Sequence, residues 1–196
     1  MNIIKEEKYA STRHDVIDVI RKRWSPRSFA EDALETAEIK SILEAASWAP
    51  SAMNEQPWRF AVAMKEDTGN FNKLASLLFP GNHVWASNAA ALVVVFAVSN
   101  YSRNGKVNIN ASHDVGMATQ NLLLQAVSMD IYGHVMEGFD KDEARRLLNL
   151  REEVVPVSMI ALGRLGDPEQ LEEPYYSRET TGRLRRSIEE SLIEIP

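Results

Sequence analysis

Between Ala91 and Val98 the chain reads ALVVVFAV, eight apolar residues in succession and four of them valine. A strand with one wet face alternates polar and apolar side chains, and an amphipathic helix interrupts its apolar stripe every few positions. An unbroken, valine-rich run is instead typical of a strand covered on both faces. Such a strand demands packed structure above and below it, so this segment alone predicts a layered domain. The wider apolar stretch from Ala89 is only half of the ~20 residues that a membrane-crossing helix needs. The N-terminal MNIIKEEKYASTRHD has no basic segment followed by an apolar run, so no secretory signal is read and a cytoplasmic protein is expected.

The rest of the chain supplies the covering layers. Val16, Ile17 and Ile20 recur at helical spacing and stop before Pro26. A second helix is predicted from Thr36 to Trp48, ended by Pro50, with Ile39, Ile42, Leu43 and Ala46 on one face. Arg59 to Met64 reads as a strand, and Phe71, Leu74, Leu77 and Leu78 as a helix broken at Pro80-Gly81. Helices are also predicted over Asp114–Met129 and Lys141–Leu148, and strands over Ile131–Met136 and Val154–Leu162. Pro156 confines its part of the last strand to an edge or a strand start. Four strands interleaved with helices give a mixed α/β or α+β domain. Two units are expected: residues 1–165 as the domain, and 166–196 as a polar arm that wraps a neighbouring subunit or lies loose on the surface.

Composition removes several chemistries. The 196 residues contain no cysteine, which excludes thiolate nucleophiles, zinc-thiolate sites and disulfides, so redox chemistry would rest on a bound cofactor. A net charge of -6 argues against a general nucleic-acid binder. No GxGxxG, GxxxxGK[ST], HExxH or GxSxG occurs, and His113-Asp114 are adjacent helix positions that point apart. A metal site is not expected.

Three segments carry chemistry. Arg23-Trp24-Ser25-Pro26-Arg27 places two guanidinium groups and a hydroxyl at alternate positions, which in extended chain point the same way and suit a phosphate. The plain reading is that Arg23 offsets a helix C-terminus and Arg27 is solvated. Pro50 to Trp58 (PSAMNEQPW) offers Ser51, Asn54 and Gln56 for a flat heterocycle, with Trp58 in the core. Gly133 to Phe139 (GHVMEGF) ends a strand with glycines that let backbone N–H groups approach a ligand. Arg183 and Arg185 form a late basic pair, whose plain reading is the charged face of a terminal helix pairing with Glu189 and Glu190.

In order and spacing, RxSxR, PSxxNxQPW, the apolar strand, the helix through Gln120-Asn121 and the EGF segment at Glu137–Phe139 resemble the FMN-dependent nitroreductase family. The resemblance implies an α+β fold with a central mixed sheet of four to five strands wrapped by helices, and an intertwined homodimer with two FMN sites at its interface. It implies that Arg23, Ser25 and Arg27 hold the phosphate, ribityl chain and ring edge, Arg27 nearest the pyrimidine. Pro50, Ser51 and Asn54 would contact the flavin from the partner subunit. The backbone around Met136, Glu137 and Gly138 would donate to flavin N5, and Arg183 and Arg185 would close on the phosphate.

The implied activity is hydride transfer from NADH or NADPH through FMN to a nitroaromatic, quinone or similar acceptor, in ping-pong fashion. Other flavin chemistry, such as desaturation or dehalogenation, and a non-catalytic flavin binder are the alternatives. The excursion that many members carry after the second strand is reduced here to Tyr101–Ala111, and His83 stands where some place a ribityl contact.

Overall fold

A computed structural model describes residues 2–195, so Met1 and Pro196, the outer ends of the two expected units, lie outside the described residues. The elements are α1 (Asn2–Lys8), α2 (Asp18–Lys22), α3 (Thr36–Ser47), β1 (Trp58–Met64), α4 (Thr68–Ala75) and α5 (Pro80–Ala86). Then follow β2 (Ala91–Val98), α6 (Ala111–Ser128), β3 (Tyr132–Met136), α7 (Lys141–Leu147), β4 (Val154–Gly163) and α8 (Tyr175–Thr180).

The four strands form one sheet in the order β1-β2-β4-β3. The valine run therefore lies inside the sheet, paired with β1 on one side and β4 on the other. Its side chains alternate between two cores, as strand geometry requires. Ala91, Val93, Val95 and Ala97 pack under Ile39, Ile42 and Ala46 of α3 and Val115, Ala118 and Leu122 of α6. Leu92, Val94 and Phe96 face the other way, onto Phe71 and Leu74 of α4, Trp85 of α5 and Ala144 of α7. The α+β class and the four-strand count are as the sequence predicts. Within the described residues every strand pairing is antiparallel, which narrows the mixed sheet of the resemblance.

Pro156 sits at the start of β4 opposite Phe96, where the register with β2 shifts between Val95 and Phe96. The stretch of β4 paired with β3 begins later, at Met159, so on that side no strand pairs with Pro156. The helix predicted through Leu77 and Leu78 ends earlier, at Ala75, and Pro80 begins another helix instead of ending that one. Phe79 is extended and Pro80 occupies the first turn of α5, where a missing N–H costs nothing.

The arm departs most from expectation. No helix carries Arg183 to Glu190. Residues 183–187 are non-helical, and Ser187 caps a single 3-10 turn, Ile188–Ser191, through Glu190. The helical pairing predicted for Arg183 and Arg185 with Glu189 and Glu190 is therefore absent; Glu189 instead approaches Arg13 at 3.9 Å. Among the described residues no helix is long and apolar enough to cross a membrane.

Candidate functional site

After α2 the chain leaves helical geometry at Arg23 (φ -62, ψ 124) and reaches an isolated bridge between Phe29 and Leu165. Trp24 anchors it in a small cluster with Val127, Tyr132 and Leu165. The arm then returns and grips the same segment. The Arg183 guanidinium donates to the carbonyls of Arg21 and Arg23. Arg185 stands close enough that its charge, after burial, lowers the Arg23 pKa, while burial followed by Arg23 and Arg185 lowers that of Arg183. Three guanidinium groups thus share one corner, and among the described residues none of them is paired with a carboxylate. The Arg183 Nε–H is buried without a partner. Like charges held this way call for an anion.

Arg27 has a different setting. Its guanidinium lies over the Trp85 ring, 5.7 Å from the centroid. Burial lowers its pKa and the nearby Glu179 carboxylate opposes that. Arg23 is thus set beside Arg183 and Arg185, and Arg27 beside Trp85 and Glu179. The segment between them is pinned from both sides: His134 Nδ1 lies 2.9 Å from the Pro26 carbonyl, and Glu179 holds the next two amides. Ser25, between the two arginines and half-buried, makes no hydrogen bond through its hydroxyl among the described residues. The segment so reads as an anion-binding end at Arg23 and a ring-facing end at Arg27.

Helix α5 links that second end to the strand-end turn. The Trp85 and His134 rings lie 4.5 Å apart. Burial depresses the His134 pKa to about 4, so the ring is neutral and its Nδ1–H donates to Pro26. Asn82, also on α5, donates from Nδ2 to the Gly138 carbonyl, which accepts Phe79 N–H as well. A Cβ at position 138 would stand 2.6 Å from Asn82 Nδ2, so any side chain there would push Asn82 aside. Met136 is buried in the core, whereas the Glu137 side chain is exposed and paired with Lys141. Among the described residues the N–H groups of Glu137 and Gly138 donate to no protein acceptor.

The loop at residues 50–56 is held in an uncommon shape, with φ of 56, 56 and 51 at Met53, Asn54 and Gln56. Buried Asp114 accepts the Ala52 N–H at 3.0 Å, Ser51 Oγ accepts that of Gln56, and Glu55 accepts that of Ser102. Pro50 and Asn54 are exposed, and the Asn54 side-chain amide is unpaired among the described residues. No hydrogen bond or ion pair among those residues joins this loop to the arginine segment or to Glu137 and Gly138. Trp58 is in the core, as predicted. His83 is exposed and lines a cavity of about 320 Å³ with Thr68, Phe71 and Asn72, which contains none of the other candidate residues. A larger cavity of about 470 Å³ beside Trp24 has both of its lysines paired, Lys5 with Asp130 and Lys22 with Asp18.

The model of the nitroreductase family matches residues 20–164. The chain belongs to that family. A protein of Archaeoglobus fulgidus provisionally named NADH dehydrogenase/NAD(P)H nitroreductase is 31% identical over 156 residues, covering 76% of this chain and 84% of the relative. Protein DrgA of Synechocystis is 30% identical over 177 residues, 76% of this chain and 84% of that protein. A crystal structure of an oxidoreductase containing FMN superposes with a TM-score of 0.83 at 32% identity, over 89% of each chain. Within the family match lie Arg23, Ser25, Arg27, the 50–54 loop and the 136–138 turn; Arg183 and Arg185 lie beyond its end. Asn82, Trp85 and Glu179 were not predicted as site residues. No local pattern marks them, because each acts through a partner distant in sequence.

Proposed function

We propose that this chain is an NAD(P)H-dependent FMN oxidoreductase that reduces a nitroaromatic, quinone or similar small acceptor by a ping-pong mechanism, as a homodimer. The observation that carries the reading is the corner of Arg23, Arg183 and Arg185, which is free of carboxylates among the described residues and keeps one buried, unpartnered N–H. FMN fits this chain: a dianionic phosphate satisfies that corner, and the unpaired Glu137 and Gly138 amides lie at the other end of the segment's reach, joined to it through Trp85 and Asn82. The names of the relatives, NAD(P)H nitroreductase and FMN-containing oxidoreductase, support the same cofactor and donor.

When bound, FMN supplies a ring atom, N5, that accepts and returns hydride. The protein's own work is orientation and electrostatics. Arg23, Arg183 and Arg185 hold the phosphate, and Ser25 offers its unpaired hydroxyl to the ribityl chain. Arg27, backed by Trp85, would favour negative charge on the ring's pyrimidine edge. The Glu137 and Gly138 amides would offer their unpaired N–H groups to the ring. One shared opening over the ring admits donor and acceptor in turn, which gives ping-pong kinetics.

Pro50, Ser51 and Asn54 complete the site from a second copy, since no polar contact among the described residues brings them to it. Exposed apolar groups favour that assembly. Trp48, at the C-terminal cap of α3, is 78% exposed, and Leu184, Ile193 and Ile195 of the arm are 88%, 92% and 95% exposed. The end of the arm lies over the partner in this reading.

The test compares FMN with riboflavin, which lacks the phosphate. A charge-assisted hydrogen bond contributes ~1.5–3 kcal/mol, so Arg23→Ala or Arg185→Ala weakens FMN binding by roughly 10- to 150-fold and leaves riboflavin binding unchanged. Full flavin occupancy of these variants after extensive dialysis would refute the phosphate assignment.

A further inference from the structure

We infer that Glu179 is a positioning residue for the flavin-binding segment, one that fixes the direction of Arg27 and ties cofactor affinity to docking of the chain's own arm. The inference rests on the reading above that residues 23–27 hold FMN.

Glu179 lies on α8 and is 1% exposed. Its two oxygens accept from consecutive amides, Arg27 N at 2.8 Å and Ser28 N at 3.1 Å. These bonds set the peptide planes on both sides of the Arg27 Cα, and so the direction in which that side chain leaves the backbone. Among the described residues the Arg27 guanidinium forms no ion pair with Glu179 or any other carboxylate. The carboxylate therefore binds the backbone and leaves the cation free for a ligand. An ionised carboxylate kept from water is costly without full hydrogen bonding, and filling space on α8 needs no charge.

The surroundings hold α8 in place. Lys8, itself buried, donates to the carbonyls of Arg178 and Thr181, which flank Glu179, and its ammonium stands 4.7 Å from the Trp24 ring centroid. Upstream, Gly166 N donates to the Ser28 carbonyl, Ser28 Oγ to that of Asp167, and Gln170 Nε2 to that of Phe29. Residues 27–29 are thus gripped by the arm at each step. The family match ends at residue 164, before all of these arm residues, so the grip lies outside the part of the chain that the family model describes.

The experiment uses the full chain and Glu179→Gln, which keeps the volume and one acceptor but turns an N–H₂ toward an amide donor. Dissociation constants for FMN and for riboflavin are measured well below the melting temperature, together with the midpoint potential of bound FMN and the melting temperature of the apoprotein. The expected result is an equal loss for both flavins, about 10- to 100-fold, and a midpoint potential shifted to more positive values because a negative charge near Arg27 is gone. The melting temperature should fall by no more than one lost hydrogen bond accounts for, since the substitution keeps the volume and one acceptor. Wild-type affinity and potential in Glu179→Gln would overturn the inference, as would an affinity loss that merely tracks a lower melting temperature. If Glu179→Gln does not fold, Lys8→Met decides: it frees α8 without altering Glu179, and wild-type affinity for both flavins would overturn the inference. Failure of the wild-type chain to bind FMN would refute the cofactor reading itself and remove this inference with it, a result seen before any variant is made.

Discussion

Acidification should destabilise the protein through His134 by an amount that can be worked out. The ring is held neutral by burial, with its pKa depressed to about 4 from an ordinary value of 6.5. A base whose folded pKa is depressed binds fewer protons folded than unfolded, so its stabilising contribution is complete above pH 6.5 and is lost as pH falls toward 4. The full span corresponds to about 3 kcal/mol, and about 2 kcal/mol is already gone at pH 5. Protonation would also place a second cation beside Arg27, which counts against the ring in the pK balance and against the charged imidazole in the fold. Glu179 acts in the opposite sense: its raised pKa makes the folded chain gain stability as pH falls. The two are separated by comparing wild type with His134→Asn, which keeps an amide donor for the Pro26 carbonyl. Urea denaturation at pH 7 and pH 5 should show wild type losing about 2 kcal/mol more than the variant. Parallel losses in the two proteins would refute the assignment of a buried, neutral His134.

Two glycines give further tests. In Gly138→Ala the new Cβ meets Asn82 Nδ2 at 2.6 Å, a side chain that can yield, so the fold survives while the Glu137 and Gly138 amides shift. Stopped-flow reduction of the flavoprotein by NAD(P)H should slow by about 10- to 100-fold, and an unchanged rate would remove these amides from the site. In Gly166→Ala the Cβ meets the Phe29 backbone at 2.5 Å, which cannot yield without opening the Phe29–Leu165 bridge. A loss of about 3 kcal/mol is expected in urea denaturation, with weaker flavin binding because the arm no longer grips residues 27–29; a fully stable variant would contradict the close approach.

The valine run from Ala91 to Val98 was legible because burial on both faces leaves a compositional trace that needs no partner to interpret. The same holds for α3 and α6, whose apolar stripes follow helical spacing, and for the RxSxR and PSxxNxQPW segments, whose residue types cluster within a few positions. The limits lie where local pattern and tertiary contact conflict. Pro80 signals a stop, yet it serves equally at the first turn of α5. Arg183 to Glu190 has helical charge spacing, but Arg183 is drawn to the Arg21 and Arg23 carbonyls and the chain there follows the arm. Alternation in RxSxR says nothing of the clamps that hold the segment, His134 on the Pro26 carbonyl and Glu179 on the Arg27 and Ser28 amides. Glu179 acts 151 residues from Ser28, and nothing in its own neighbourhood announces that pairing.

The most direct test of the account is the visible absorption spectrum of the purified protein, recorded before and after anaerobic addition of NADH or NADPH. The account predicts a yellow protein, or one made yellow by FMN, whose flavin bands bleach on addition of the donor and return when a quinone or nitroaromatic is supplied. A protein that holds FMN but never bleaches would contradict the NAD(P)H oxidoreductase reading, and a colourless protein that cannot be reconstituted with FMN would contradict the cofactor site built on Arg23, Arg183 and Arg185.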